Sequence, residues 1–273
     1  FMGSFGNDGV AGRVTVNPTG NVLATGQNGI AAVFQSAARD GVGDITAVLN
    51  GHFRGGSVYG RGIFIDGGAD NTVTINGSAS AVSNLAIEGT TGNDTIINNG
   101  LVVGNIDLDG RGGITPFAVG AAAAETNAFV NNLAAALVSL DYIDLGGGLL
   151  TNHGLIAPGD FGVVQTTEVD GDFLQTADAV FDLDLDFALS GVGQETDRLT
   201  LNGSAVVDGR FDLRANNISD LKPGDFTATV ISAPGGLTDT GVALNAPTSA
   251  IARFALSTTA EALLLNYTID FSP

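Results

Sequence analysis

The 273-residue chain has no cysteine, no tryptophan, two histidines (His52 and His153) and one lysine (Lys222). Without cysteine there is no disulfide, no thiol nucleophile and no thiolate metal site, and two histidines a hundred residues apart do not make a zinc site. A cysteine-free chain also suits passage through an oxidising compartment, where nothing can mispair. Basic residues are scarce: ten Lys and Arg stand against 29 Asp and Glu, a net charge of −19. That balance argues against nucleic acid or an anionic membrane surface as partner, since both need a positive footprint. No apolar run reaches the ~18 residues of a membrane span, so no membrane insertion by this sequence is expected. Phe1-Met2-Gly3-Ser4 does not read as a signal peptide, and any targeting signal is expected outside this sequence. No G-x-S-x-G elbow, P-loop or H-E-x-x-H occurs.

Glycine is plentiful, with 40 residues, and mean hydropathy is +0.28, enough to bury a substantial core. Asn-Gly pairs at 28–29, 50–51, 76–77 and 99–100 recur at spacings of 22, 26 and 23 residues; TNHGL (151–155) and LNGSA (201–205) continue the series at about two periods each. Between them lie short Val/Ile/Thr-rich runs such as DITAVLNG (44–51), GIFIDGG (62–68), NTVTING (71–77), DTIINNG (94–100) and LVVGNIDLDG (101–110). Asn and Gly tolerate the left-handed backbone of tight turns and mark corners. A fixed period of this size indicates a repeat architecture. Three strands per ~23-residue repeat predict a coil of stacked strands, eleven or twelve turns deep and on the order of 50 Å long.

Residues 117–143, FAVGAAAAETNAFVNNLAAALVSLDYI, break the rhythm. Phe129, Leu133, Leu137 and Leu140 are spaced for one helical face, which predicts a helical excursion over about 115–141. The expected division is 1–148, coil turns including this excursion, and 149–273, further turns with a C-terminal cap. In the second part VDGDFLQ (169–175) recurs loosely as VDGRFDLR (207–214), 38 residues on, which suggests hairpins. A cap is required because the last turn would otherwise offer open backbone donors and acceptors to any passing strand.

GNDTIINNGLVVGNIDLDG (92–110), IDLGGGLLTNHGLIAPGDFG (143–162), VDGDFLQTADAVFDLDLDF (169–187) and ETDRLTLNGSAVVDG (195–209) resemble an autotransporter passenger domain of Gram-negative bacteria. The likeness is closest from about 92 to 271, and LLLNYTIDFSP (263–273) resembles the last passenger strand before a linker helix and membrane barrel. The resemblance implies a right-handed parallel β-helix whose C-terminal region acts as an intramolecular chaperone. It implies a surface or secreted stem exported through the periplasm, related to adhesion and virulence. Its partners would be its own translocator β-barrel, a host surface or the passengers of other cells, and no catalysis is expected of this part. The rival reading is a β-helical polysaccharide lyase or hydrolase with carboxylates in a groove.

The comb FDLDLDF (181–187) is the most conspicuous candidate site. Strand alternation turns Phe181, Leu183, Leu185, Phe187 and Leu189 inward, with Phe173, Leu199 and Leu201 in the same core row. Asp182, Asp184 and Asp186 then share the outer face, where they are expected to keep the surface wet. Counted as an EF-hand loop from Asp182, the sixth and twelfth positions are Phe187 and Gly193, so that motif fails and only a loose calcium site is left. GTTGNDTII (89–97) matches a calcium-binding nonapeptide once, without the tandem copies that mechanism needs, so Asn93 and Asp94 read as corner residues. His153 reads as a turn residue, DGRGG (109–113) as an exit into the Ala-rich segment, and Arg39-Asp40-Gly41 is not an integrin motif. No catalytic, cofactor-binding or metal-ligating residue is assigned, and no cofactor is expected.

Overall fold

A computed structural model describes residues 2–6, 14–16, 19–38, 43–67, 69–110, 126–191 and 194–272. These form a long, nearly closed, mostly parallel sheet of 25 strands; helix among them is limited to two 3-10 turns, Phe187–Leu189 and Ile218–Asp220. The strands fall into three parallel ladders that the chain visits in strict rotation. One ladder runs from Val14–Val16 through nine strands to Leu237–Asp239. A second runs through nine strands from Val22–Leu23 to Ala243–Asn245. The third starts at Met2–Gly6 and, at Gly224–Ser232, ends on two antiparallel strands, Ala262–Ile269 and Ala252–Thr258.

Three strands per turn agree with the sequence reading, but the stack is nine turns deep rather than eleven or twelve, about 38 Å at the ~4.8 Å strand spacing. The reason is unequal turns. The first ladder steps 26 residues from Ala47 to Val73, 23 to Ile96, 33 to Phe129, 21 to Leu150, 23 to Phe173 and 32 to Ala205. The ~23-residue interval is met only by the steps from Val73 to Ile96, Phe129 to Leu150 and Leu150 to Phe173.

Parallel stacking places like residues directly above one another. Ile63, Ile87, Ile106, Ile143, Val169 and Leu201 form one inward row. Phe53, Ala79, Val102, Leu137, Ile156, Phe181 and Phe211 form another, all buried. Phe181 and Phe211 stack with ring centroids 5.1 Å apart. Burying each such side chain contributes roughly 1.5–3 kcal/mol. The expected core row Phe173, Phe181, Leu183, Leu185, Phe187, Leu199 and Leu201 is buried throughout. Leu189 is not: the strand ends at Asp186, the chain turns, and Leu189 is exposed.

The corners are asparagine ladders. On the outside, Asn76 donates to Asn50 (2.6 Å), Asn99 to Asn76 (2.8 Å) and Asn132 to Asn99 (2.5 Å). On the inside, Asn98 donates to Asn131 (2.8 Å), Asn131 to Asn152 (2.9 Å) and Asn152 to Gln175 (3.3 Å), all buried. Gly51, Gly77 and Gly100 stack beside the outer row, but none has positive φ. They are glycines because a Cβ at each would strike the carbonyl oxygen of the glycine one turn before, not because the turn is left-handed. Asn28-Gly29 does not belong to this corner: Gly29 bonds instead to Gly56 and Arg61, and Gly20 lies beside Gly51. Asn202-Gly203 is also elsewhere, with Asn202 donating to Asp170 at 2.5 Å.

Two further expectations are corrected. Over residues 126–143 the Ala-rich segment is not helical. Ala128–Asn131 and Ala136–Val138 are strands in successive ladders, joined by a turn in which Ala134 has φ 70°. Phe129 and Leu137 are buried, while Leu133 is exposed at that turn. The rest of the expected excursion, 115–125, lies outside the described residues, as do Arg111-Gly112-Gly113 and Arg39-Asp40-Gly41. The two VDG segments form no hairpins: Thr166–Gln175 and Arg210–Asn216 run parallel to their neighbours, and Val207 sits beside Asp239, not Val169. The antiparallel hairpin is at Ala252–Ile269.

Candidate functional site

Alternation that turns the isoleucine row inward turns the next residue of each strand outward, and in this ladder those residues are acids. Glu88, Asp107, Asp144 and Asp170 are in register on four successive turns, below Phe64. Like charges directly opposite one another on adjacent strands destabilise a sheet. At the two ends the charge is met locally: Arg61 pairs with Glu88, and Asn202 donates to Asp170. In the middle, Asp107 faces Asp144 and has Asp109 two residues along. Carboxylate oxygens of Asp107, Asp109 and Asp144 lie within 4.8 Å of one another.

Burial pushes the Asp107 carboxyl up to about 7, and the charges of Asp109 and Asp144 add to the rise. Burial likewise pushes the neighbouring Tyr142 hydroxyl up to about 12, helped by Asp107, Asp144 and Asp141. Beside this row runs an open groove of about 710 Å³ lined by Tyr59, Arg61, Asp107, Asp141, Tyr142 and Glu168. Chemically, three converging carboxyls can share a proton or hold a hard cation. Sequence reasoning passed over them, although the repeated Ile-Asp-Leu at 106–108 and 143–145 carried the signal: Ile106 and Ile143 are in register, so the aspartates after them must face each other.

The FDLDLDF comb is placed differently from the expectation. Its aspartates do face away from the core row, yet Asp182 is 3% exposed and Asp184 0%. Neighbouring segments cover them. Gly162 N–H donates to Asp184 Oδ2 (2.6 Å) and Asn216 Nδ2 to Asp184 Oδ1 (3.1 Å). Arg214 lies 3.2 Å from Asp182 and 3.5 Å from Asp184, with its guanidinium 4.8 Å from the Phe161 ring centroid. Asp186 caps the 3-10 turn by accepting from Ala188 N–H (2.9 Å) and receives Asn217 Nδ2 (2.7 Å). These carboxylates hold loops down instead of wetting a surface.

Asp94, in the single nonapeptide copy, is also a corner group: it accepts from Asn71 Nδ2 (2.7 Å), while its N–H donates to Asn127 Oδ1 (2.8 Å). Asn93 donates to Asp70 at 2.8 Å. His52 and His153 each bond a hydroxyl one turn on, Ser78 at 2.8 Å and Thr176 at 3.1 Å.

Asp197 closes the comb. Its oxygens accept backbone N–H groups of Gln165 and Asp184, each at 2.8 Å. Burial still pushes its carboxyl up to about 9, against those two donors. Burial also raises Asp182, with Arg214 opposing. The folded chain therefore keeps these protons to higher pH than the unfolded chain, whose carboxylates titrate near ~3.9. The contribution is complete below that value and is lost as pH rises towards about 9. Thermal melts should show stability falling steadily between about pH 5 and about pH 9, with Asp197→Asn flattening the slope. An unchanged melting temperature across that window would contradict the assignment.

No protein-family model matches this chain, and no curated protein matches it either.

Proposed function

We propose that the chain is a right-handed parallel β-helix serving as the surface or secreted passenger stem of a Gram-negative autotransporter. The observation that carries this reading is the ending of the third ladder. There the parallel strand Gly224–Ser232 is closed by Ala262–Ile269 and Ala252–Thr258, both antiparallel, so the exposed edge is finished by a hairpin. The right hand follows from the sterics that govern parallel crossovers. Three of the four segments that resemble passengers, 143–162, 169–187 and 195–209, lie in the turns leading to that hairpin, and the fourth, 92–110, lies earlier in the stack.

The stem works by templating. Each turn contacts mainly its neighbours, so a C-terminal end that folds first nucleates the stack and draws the rest of the chain outward during export. Its partners are then a translocator barrel on the same polypeptide and, for adhesion, a host surface or another passenger. Refolding of the intact chain followed by pulsed hydrogen exchange tests the order. Amides of 224–269 should gain protection before those of 45–110; the reverse order removes the chaperone role.

The acidic groove supports a second reading, a β-helical carbohydrate-active enzyme. Asp141 and Glu168 line it beside Arg61, a carboxylate–cation grouping suited to a sugar acid. Polysaccharide turnover by the purified chain, lost in Glu168→Gln, would displace the stem reading.

A further inference from the structure

The middle of the acidic row poses a problem that Arg61 and Asn202 solve only at its ends. Asp107 is 4% exposed, and its Oδ1 has no hydrogen-bond donor among the described residues. Arg61 feels the charge of Asp107 but makes its close ion pair with Glu88, and no ion pair within 4.0 Å reaches Asp107 among those residues. A buried carboxylate oxygen without a donor, set in register against another carboxylate, is relieved by a shared proton or by a bound cation.

We propose that Asp107, Asp109 and Asp144 bind a calcium ion that ties two successive turns of the ladder together. The three carboxylates come from two adjacent strands and their continuation, and their oxygens converge within 4.8 Å, the spacing of ligands around one cation. Local structure fixes them in place. Gly146 N–H donates to Asp144 Oδ1 at 3.0 Å, and Asn127 Nδ2 donates to Leu108 O at 2.8 Å, pinning the backbone between Asp107 and Asp109. Gly146 itself has φ 59°, and a Cβ there would lie 3.1 Å from the Asp109 Cβ. The glycine thus lets the strand bearing Asp144 close onto Asp109.

The donor set selects the metal. It is all oxygen, with no histidine or cysteine in it, which favours a hard cation over zinc or copper. Three protein carboxylates favour calcium over magnesium, which keeps most of its water and demands near-ideal octahedral geometry. A single ion held by only three protein carboxylates binds weakly, at a dissociation constant on the order of 10⁻⁴–10⁻³ M. The three side chains and their register would hold calcium whether or not the chain is a passenger stem.

The test uses the intact chain near neutral pH. Calorimetry should register calcium binding at one site, and calcium should raise the melting temperature by several degrees where magnesium does little. Asp107→Asn and Asp144→Asn should each abolish both responses. Terbium supplies a readout that survives a poorly folding variant. Tyr142 lies beside the carboxylates, so excitation of tyrosine should give terbium emission that calcium competes away and that Tyr142→Phe removes. No calcium heat and no melting shift overturns the proposal. So does a calcium response that persists in both aspartate variants, or terbium emission unchanged by Tyr142→Phe, because either places the ion elsewhere on this acidic surface.

Discussion

Tyr267→Ala is expected to destabilise the chain by about 3–5 kcal/mol, the range for removing a large buried aromatic. Tyr267 is the hub of the C-terminal hairpin. Its ring stacks on Phe226 (5.0 Å, 15° between planes), meets Phe187 edge-on at 6.0 Å and lies 6.4 Å from Phe254. Those partners come from the last parallel strand, the turn that ends the FDLDLDF comb and the other arm of the hairpin. One side chain therefore joins the antiparallel end to two levels of the stack. Paired rings of this kind add about 0.5–1.5 kcal/mol each beyond area burial.

The melting temperature should fall by on the order of 10 °C, and hydrogen exchange should accelerate first in 224–269. Tyr267→Phe is the control. It removes only the hydroxyl that donates to Ser190 Oγ at 3.1 Å, at a cost of about 1 kcal/mol. If Tyr267→Ala melts like the parent, the hairpin is not what secures the last turn.

The contrast between the two parts of FDLDLDF shows how far the sequence could be read. Alternation assigned Phe181, Leu183, Leu185 and Phe187 to the core because a strand's side-chain period is two and needs no distant information. It equally gave the face of Asp182 and Asp184. It could not say what lies over that face, since Gly162, Arg214 and Asn216 arrive from turns before and after, at offsets no local rule fixes. Register was the missing quantity elsewhere too. Asn28-Gly29 looked like one more corner mark, yet the ladder steps over it because the early turns are longer than 23 residues. Phe129, Leu133 and Leu137 have helical spacing only because a turn at Leu133-Ala134 separates two strands. The facing pair Asp107 and Asp144 stayed hidden for the same reason, 37 residues apart in sequence and side by side in the ladder.

Register also makes the inner asparagine row the most sensitive polar feature of the fold, which Asn131→Asp would expose with almost no change of shape. Asn131 is fully buried. It accepts from Asn98 Nδ2 at 2.8 Å and donates to Asn152 Oδ1 and Leu155 O, both at 2.9 Å. A carboxylate keeps the acceptor and loses both donors. Asn152 Oδ1 and the Leu155 carbonyl would then face a buried negative oxygen, with the nearest relief in the next turn. Leaving a buried charge uncompensated costs about 3–5 kcal/mol. The penalty should depend on pH with a definite sign. Burial raises the introduced carboxyl above the ~3.9 of the unfolded chain, so the deficit is smallest below that value and grows as pH rises through the window above it. Asn131→Ala, which leaves unpaired partners but no charge, should cost less at neutral pH and show no such dependence. Equal losses in the two variants at all pH values would mean that the ladder's hydrogen bonds, and not the exclusion of charge, hold these corners together.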